Sequence, residues 1–192
     1  MKTIALFGPK PKDLCDYERD KYNLFVIQLE EILEKEIDGE TTFITDGTQG
    51  FGQLAFWAVN RLKKRHNNIK NNVAIAYDNF ETKWRFTGLF SQKEYRQMLN
   101  LADDISQINL GKIPKDITET KNLFAKSWSN SIMKADLIIA LYPDDYWYLP
   151  NQGDTADAMR YASNNFKPII QIIPDTTSGK LTIKDTIIFR PN

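Results

Sequence analysis

Two short glycine-bearing stretches carry the residue types that could hold a phosphate or a ribose. One is Gly47-Thr48-Gln49-Gly50-Phe51-Gly52; the other is Gly153-Asp154-Thr155-Ala156-Asp157. Each follows a stretch that reads as a strand, the second after an intervening polar and aromatic loop, and each precedes residues at helical spacing. A strand that ends in a glycine turn and opens a helix presents backbone N–H groups with no intrahelical partner, and such groups bind anions. Glycine also lets the backbone approach a ligand closely. Gly47, Thr48, Gly50, Gly153 and Thr155 are therefore candidate contacts to phosphate or ribose. Lys10, in Gly8-Pro9-Lys10-Pro11, and Lys83 or Arg85 would add charge, while Asp154 or Asp157 would take ribose hydroxyls.

Each feature also has a plainer reading. The first stretch has glycine at 47, 50 and 52, which is not G-x-G-x-x-G, and it lacks the lysine of a Walker loop. It reads equally as a tight strand-to-helix turn. Asp154 or Thr155 would serve as an ordinary N-cap, and an acid in the first turn opposes a phosphate. Tyr146, Trp147 and Tyr148, and Trp84 between Lys83 and Arg85, would stack on a base or pack on the protein's own surface or a dimer interface. The lone His66 lies at a helix end, and the lone Cys15 has no neighbour in sequence that would lower its pKa. One cysteine and one histidine rule out a disulfide framework, a cysteine-built metal site and a multi-histidine site. No metal and no cofactor is expected.

The elements that must position these residues follow from periodicity. Thr3 to Phe7, Thr41 to Thr45, Val73 to Tyr77, Ile105 to Leu110, Leu137 to Leu141 and Pro168 to Ile173 read as strands, with Thr186 to Phe189 as an edge strand. Helices are expected over Asp20 to Ile37, over Gln53 to Arg65, around Tyr95, Met98, Leu99 and Ala102, over Thr118 to Lys134 with Phe124, Trp128 and Ile132 in line, and after Gly153. Asp78 to Phe90 reads as a loop. Strands alternating with helices predict an α/β, Rossmann-like fold: a mostly parallel sheet with helices on both faces. Ligands of such sheets sit outside the carboxyl ends of the strands, and both glycine turns follow strands.

The 192 residues fit one domain. Lys plus Arg and Asp plus Glu number 25 each, so the overall field draws the chain to neither nucleic acid nor an anionic membrane. No run approaches the roughly 20 apolar residues of a membrane span, and MKTIALFG lacks the length and cleavage pattern of a signal peptide. A cytoplasmic location is expected.

Taken together the chain resembles the YpsA-like branch of the SLOG superfamily. The resemblance runs from Thr3 to Ile173. It rests on Gly8, Pro11, Leu14 and Tyr17, the turn from Asp46 to Gly52, and Lys83-Trp84 leading to Tyr95 and Ala102-Asp103. Asn130, Ala135-Asp136, Gly153 to Ala156 and Arg160 to Ala162 complete it. Where the family often carries an acid after the first glycine turn, this chain has Gly52 or Gln53. The resemblance implies a Rossmann-like fold, self-association as a homodimer, and binding of a nucleotide or nucleotide-derived signal. It adds Gly8, Gln49, Lys83, Trp84 and Asn130 to the ligand-binding candidates. Related proteins include DprA and the Lonely Guy phosphoribohydrolases. The latter carry Gly-Thr-x-Glu, and Asp157 stands where that glutamate stands. Two alternatives to nucleotide binding therefore stay open. One is cleavage of a nucleotide's N-glycosidic bond, with Asp157 as the catalytic carboxylate. The other is a partner-binding module whose glycine turns are structural.

Overall fold

Residues of the first strand alternate between two cores. In β1 (Lys2–Phe7), Ile4 and Leu6 face one side of the sheet, and Ala5 and Phe7 the other. The same alternation holds in β5 (Leu137–Leu141), where Leu137, Ile139 and Leu141 join the first set and Ile138 and Ala140 the second. Strands buried on both faces belong to a parallel sheet covered by helices on either side. The computed structural model describes residues 1–109, 113–143 and 146–184 and has that architecture.

In chain order the elements are β1, α1 (Arg19–Glu34), β2 (Thr41–Thr45), α2 (Phe51–Leu62), β3 (Ile69–Tyr77), α3 (Gln92–Leu101), β4 (Asp104–Asn109), α4 (Ile117–Lys134), β5, α5 (Asp154–Asn164), β6 (Ile169–Asp175) and β7 (Lys180–Ile183). The sheet order is β4-β3-β2-β1-β5-β6-β7, parallel throughout except for β7, which pairs antiparallel with β6. Helices α1, α2 and α3 pack over one face and α4 and α5 over the other. From β1 the chain winds outward to β4, then returns to the other side of β1 as β5. The carboxyl ends of β1 and β5 thus bound the crevice where strand order reverses, the usual ligand position in such sheets.

The expected α/β, Rossmann-like class holds, and the strands over 41–45 and 137–141 have the expected bounds. Three elements differ. The third strand begins at Ile69 rather than Val73, because Asn71 and Asn72 break the apolar run; Asn71 is nevertheless buried and donates its side-chain amide to Phe56 O at 2.9 Å. The buried line of α4 is Leu123, Ser127, Ser131 and Ile132, with Phe124 and Trp128 on its flanks. Serine lets that helix sit close to the sheet, and Ser127 Oγ donates to Ala74 O at 3.3 Å. An antiparallel edge strand forms at Lys180–Ile183; the expected strand over 186–189 lies outside the described residues, as does Leu110 at the end of the fourth.

Candidate functional site

The loop leaving β1 lies directly on the start of α2. A Cβ on Gly8 would come within 2.3 Å of the Phe51 ring, so only glycine lets these elements touch. Gly50 has φ +93, and a Cβ there would lie 2.5 Å from Pro9 O. The first amide of α2, Phe51 N–H, donates to Pro9 O at 3.0 Å, and Gln53 N–H donates to Thr48 O at 3.1 Å. Thr48 gives both its N–H and its hydroxyl to Asp46 Oδ1, at 3.0 and 2.9 Å. Of the donors the sequence reading assigned to a phosphate at this turn, both of Thr48's are therefore occupied within the protein, as are the amides of Phe51 and Gln53.

The rest of that turn supports its surroundings. Gly47 is buried, with Met98 Cε 2.9 Å and Val73 Cγ1 3.0 Å from where its Cβ would be. Gln49 donates to Phe90 O at 2.7 Å. Phe90 is wholly buried in the left-handed region at φ +55, and its N–H donates to Glu94 Oε2 at 3.0 Å. Trp84 is half-buried and packs edge-on against Phe80 and Tyr95, at 5.0 and 5.3 Å between ring centres, while Lys83 and Lys10 are exposed. Arg85 stacks 3.7 Å over the Tyr17 ring and donates to Leu89 O at 3.0 Å, which ties the 85–90 loop to the segment after β1.

The second turn is open. Among the described residues nothing lies within 4 Å of a would-be Cβ on Gly153, whose φ is +94, and no side chain caps the first amides of α5. By contrast α3 and α4 are capped by Ser91 and Asp116, which accept from the amides of Glu94 and Glu119. Asp154 is exposed and Thr155 half-buried. The Asp157 carboxylate is paired with Arg160, whose guanidinium also donates to Trp147 O at 2.7 Å and to Leu149 O. Asp157 thus anchors the segment that carries Tyr146 and Tyr148, both exposed, and Trp147, which is buried. Asn130 is exposed near the end of α4, which runs down toward the opposite edge of the sheet, so it does not join the glycine turns.

Asp46, which sequence reasoning gave no role, links the two turns. Burial pushes its carboxyl above the ordinary range, the Thr48 bonds oppose that, and the charge of Asp154 pushes it further up. Asp154 is therefore near enough to act on Asp46, and the rim between them is acidic. The available sign was an acid placed between a buried strand and a glycine. Two surface hollows of about 700 and 560 Å³, beside Phe86 and Arg96 on one side and between α1 and α2 on the other, contain none of the residues named from sequence. No three His, Cys, Asp or Glu side chains converge as metal ligands, and no helix is long and apolar enough to cross a membrane, among the described residues.

Comparison with known proteins agrees with this layout. The chain is 28% identical over 145 residues to the SPbeta prophage-derived protein YoqJ of Bacillus subtilis strain 168, a match covering 72% of this chain and 77% of that protein. The family model YpsA, described as the YspA SLOG family, matches residues 4–177. With nearly all of the sheet and both glycine turns inside that match, the chain belongs to the YpsA family of SLOG proteins.

Proposed function

We propose that the protein binds a nucleotide or nucleotide-derived ligand in the crevice between the carboxyl ends of β1 and β5. Family membership suggests a nucleotide-related function. The observation that carries the reading is the contrast between the two glycine turns, which share one rim. At α2 the donors of Thr48, Phe51 and Gln53 are filled by Asp46, Pro9 and Thr48; at α5 no side chain among the described residues caps the first-turn amides, which follow an exposed glycine. The ligand's phosphate belongs at the start of α5, where the backbone of Gly153 to Ala156 and the Thr155 hydroxyl supply donors and the helix dipole favours negative charge. Lys10 supplies a cation from across the crevice. Tyr146 and Tyr148, both exposed and packed against each other, are the aromatic residues proposed to meet the base.

Thermal unfolding with a panel of mononucleotides, cyclic dinucleotides and NAD derivatives tests this. A ligand at a hundred times its Kd adds about 2.7 kcal/mol to stability, which for a chain of this size raises Tm by roughly 5–10 °C. A shift of that size with one member, abolished by Gly153→Val, is the expected result. No shift with any member refutes the reading.

A further inference from the structure

Asp46 stands at the carboxyl end of β2, the strand beside β1, and the turn is built around its carboxylate. Oδ1 is held by the amide and hydroxyl of Thr48. A Cβ on Gly52 would lie 2.2 Å from that oxygen, so the glycine is what leaves room for the acid. No Lys, Arg or His pairs with Asp46, and its Oδ2 takes no hydrogen bond from another residue, among the described residues. Two further polar groups of the same strand-turn-helix unit are buried without partners. These are Thr45 Oγ1, one residue before Asp46, and the whole Gln53 side-chain amide, one residue after Gly52; the two residues are 1% and 0% exposed. Unpartnered buried atoms also occur in β3, at Asn71 Oδ1 and Asn72 Oδ1, so what singles out this turn is the carboxylate oxygen left without a partner where the strand meets the rim.

We propose that Asp46 reads the ribose of the bound nucleotide, its Oδ2 accepting hydrogen bonds from the vicinal 2′- and 3′-hydroxyls. An ionised carboxylate is acceptor-only, so it takes hydroxyl donors and repels phosphate oxygens. An acid near the end of the second strand is how dinucleotide-binding sheets engage a ribose hydroxyl. The ligand then lies with its ribose over β2 and its phosphate toward α5. Its class is a ribonucleotide with a free vicinal diol, and 2′-deoxynucleotides are excluded.

This inference rests on the functional reading above, and the test separates the two. Calorimetric titration of the four ribonucleoside 5′-monophosphates and their 2′-deoxy counterparts is carried out in EDTA, which removes divalent cations as rival partners for the acids. The expected result is that at least one ribonucleotide binds ten-fold or more tightly than its deoxy form, and that Asp46→Asn, which keeps an acceptor for Thr48, binds both alike. Equal binding of the two forms by the wild-type chain, or a preference that survives in Asp46→Asn, overturns the inference and leaves nucleotide binding standing. Failure of all eight to bind overturns the inference, while the functional reading stands or falls with the wider thermal panel above. Should Asp46→Asn not fold, the wild-type comparison alone decides.

Discussion

Gly50 and Gly153 have nearly the same φ, +93 and +94, but opposite surroundings, so replacing each by alanine separates backbone strain from steric overlap. Both lie where an L side chain is strained, and that strain costs about 1–3 kcal/mol at either site. At Gly153 nothing stands within 4 Å of the added Cβ, so strain is the whole effect. At Gly50 the Cβ would meet Pro9 O at 2.5 Å and the Lys10 and Pro11 backbone at 2.8 Å. Backbone cannot rotate away, so the Pro9–Pro11 loop must lift, breaking the Phe51 N–H bond to Pro9 O. Overpacking of this kind adds about 1–3 kcal/mol, and a lost buried hydrogen bond about 1 kcal/mol. Gly153→Ala should therefore lower Tm by roughly 3–10 °C, and Gly50→Ala by a further 5 °C or more, at about 2–4 °C per kcal/mol. Thermal melts followed by circular dichroism, with urea titrations for free energies, measure both. If Gly50→Ala costs no more than Gly153→Ala, the β1 loop does not sit on α2 as described.

Glu30, buried in α1, is held by Arg61 at 2.5 Å and by Arg65. Burial opposes its charge, but the two arginine hydrogen bonds outweigh burial and hold its carboxyl below the ordinary range. A depressed folded pKa gives stability that is present above the unfolded value and lost as pH falls through the folded one. Glu30→Gln should thus cost about 1–2 kcal/mol at pH 7, discounted for the half-exposed arginines, and the gap from wild type should close below about pH 4 in urea titrations. Cys15 is buried, and burial, then Asp16 and Glu18, push its thiol up to about 11. A disulfide reagent at pH 8 should label it only as fast as the protein opens, and immediate labelling of folded protein would contradict its burial. Asp157→Asn removes the acid that holds Arg160, so amide exchange over 146–149 should quicken while the unfolding free energy falls by only about 1 kcal/mol; unchanged exchange there would mean that the pair does not anchor the aromatic segment.

The fold was legible because its strands are buried on both faces and its helices on one. Leu137 to Leu141 has no polar residue, and Phe25, Leu29 and Leu33 repeat at helical spacing, so period and length alone separate the two types of element. Legibility failed where a polar residue is buried with a distant partner. Asn71 belongs in β3 because Phe56 O waits for its amide, and Ser127 belongs in the buried line of α4 because Ala74 O accepts its hydroxyl. Neither partner is near in sequence.

The site was legible in outline only, for the same reason. In sequence the two glycine stretches have one layout: strand, glycine turn, helix. What distinguishes them arrives from elsewhere in the chain. Pro9 O comes from the loop after β1 and caps Phe51, while Asp46 folds back over Gly52 and takes both donors of Thr48. The stretch richer in glycine is thereby closed, and its glycines serve contact between protein segments. The stretch with a single glycine stays open, because Gly153 is exposed and nothing among the described residues reaches back to it. Glycine content alone therefore does not identify an anion site. The deciding question is whether another acceptor already fills the turn, and at α2 that acceptor is itself an acid. An acid at α2 calls for hydroxyl donors, while at α5 the amides that no described side chain caps favour an anion, against the exposed Asp154 of the same turn. A nucleotide's ribose and phosphate match that polarity in one molecule, whereas a simple phosphate or sulfate matches only the α5 end.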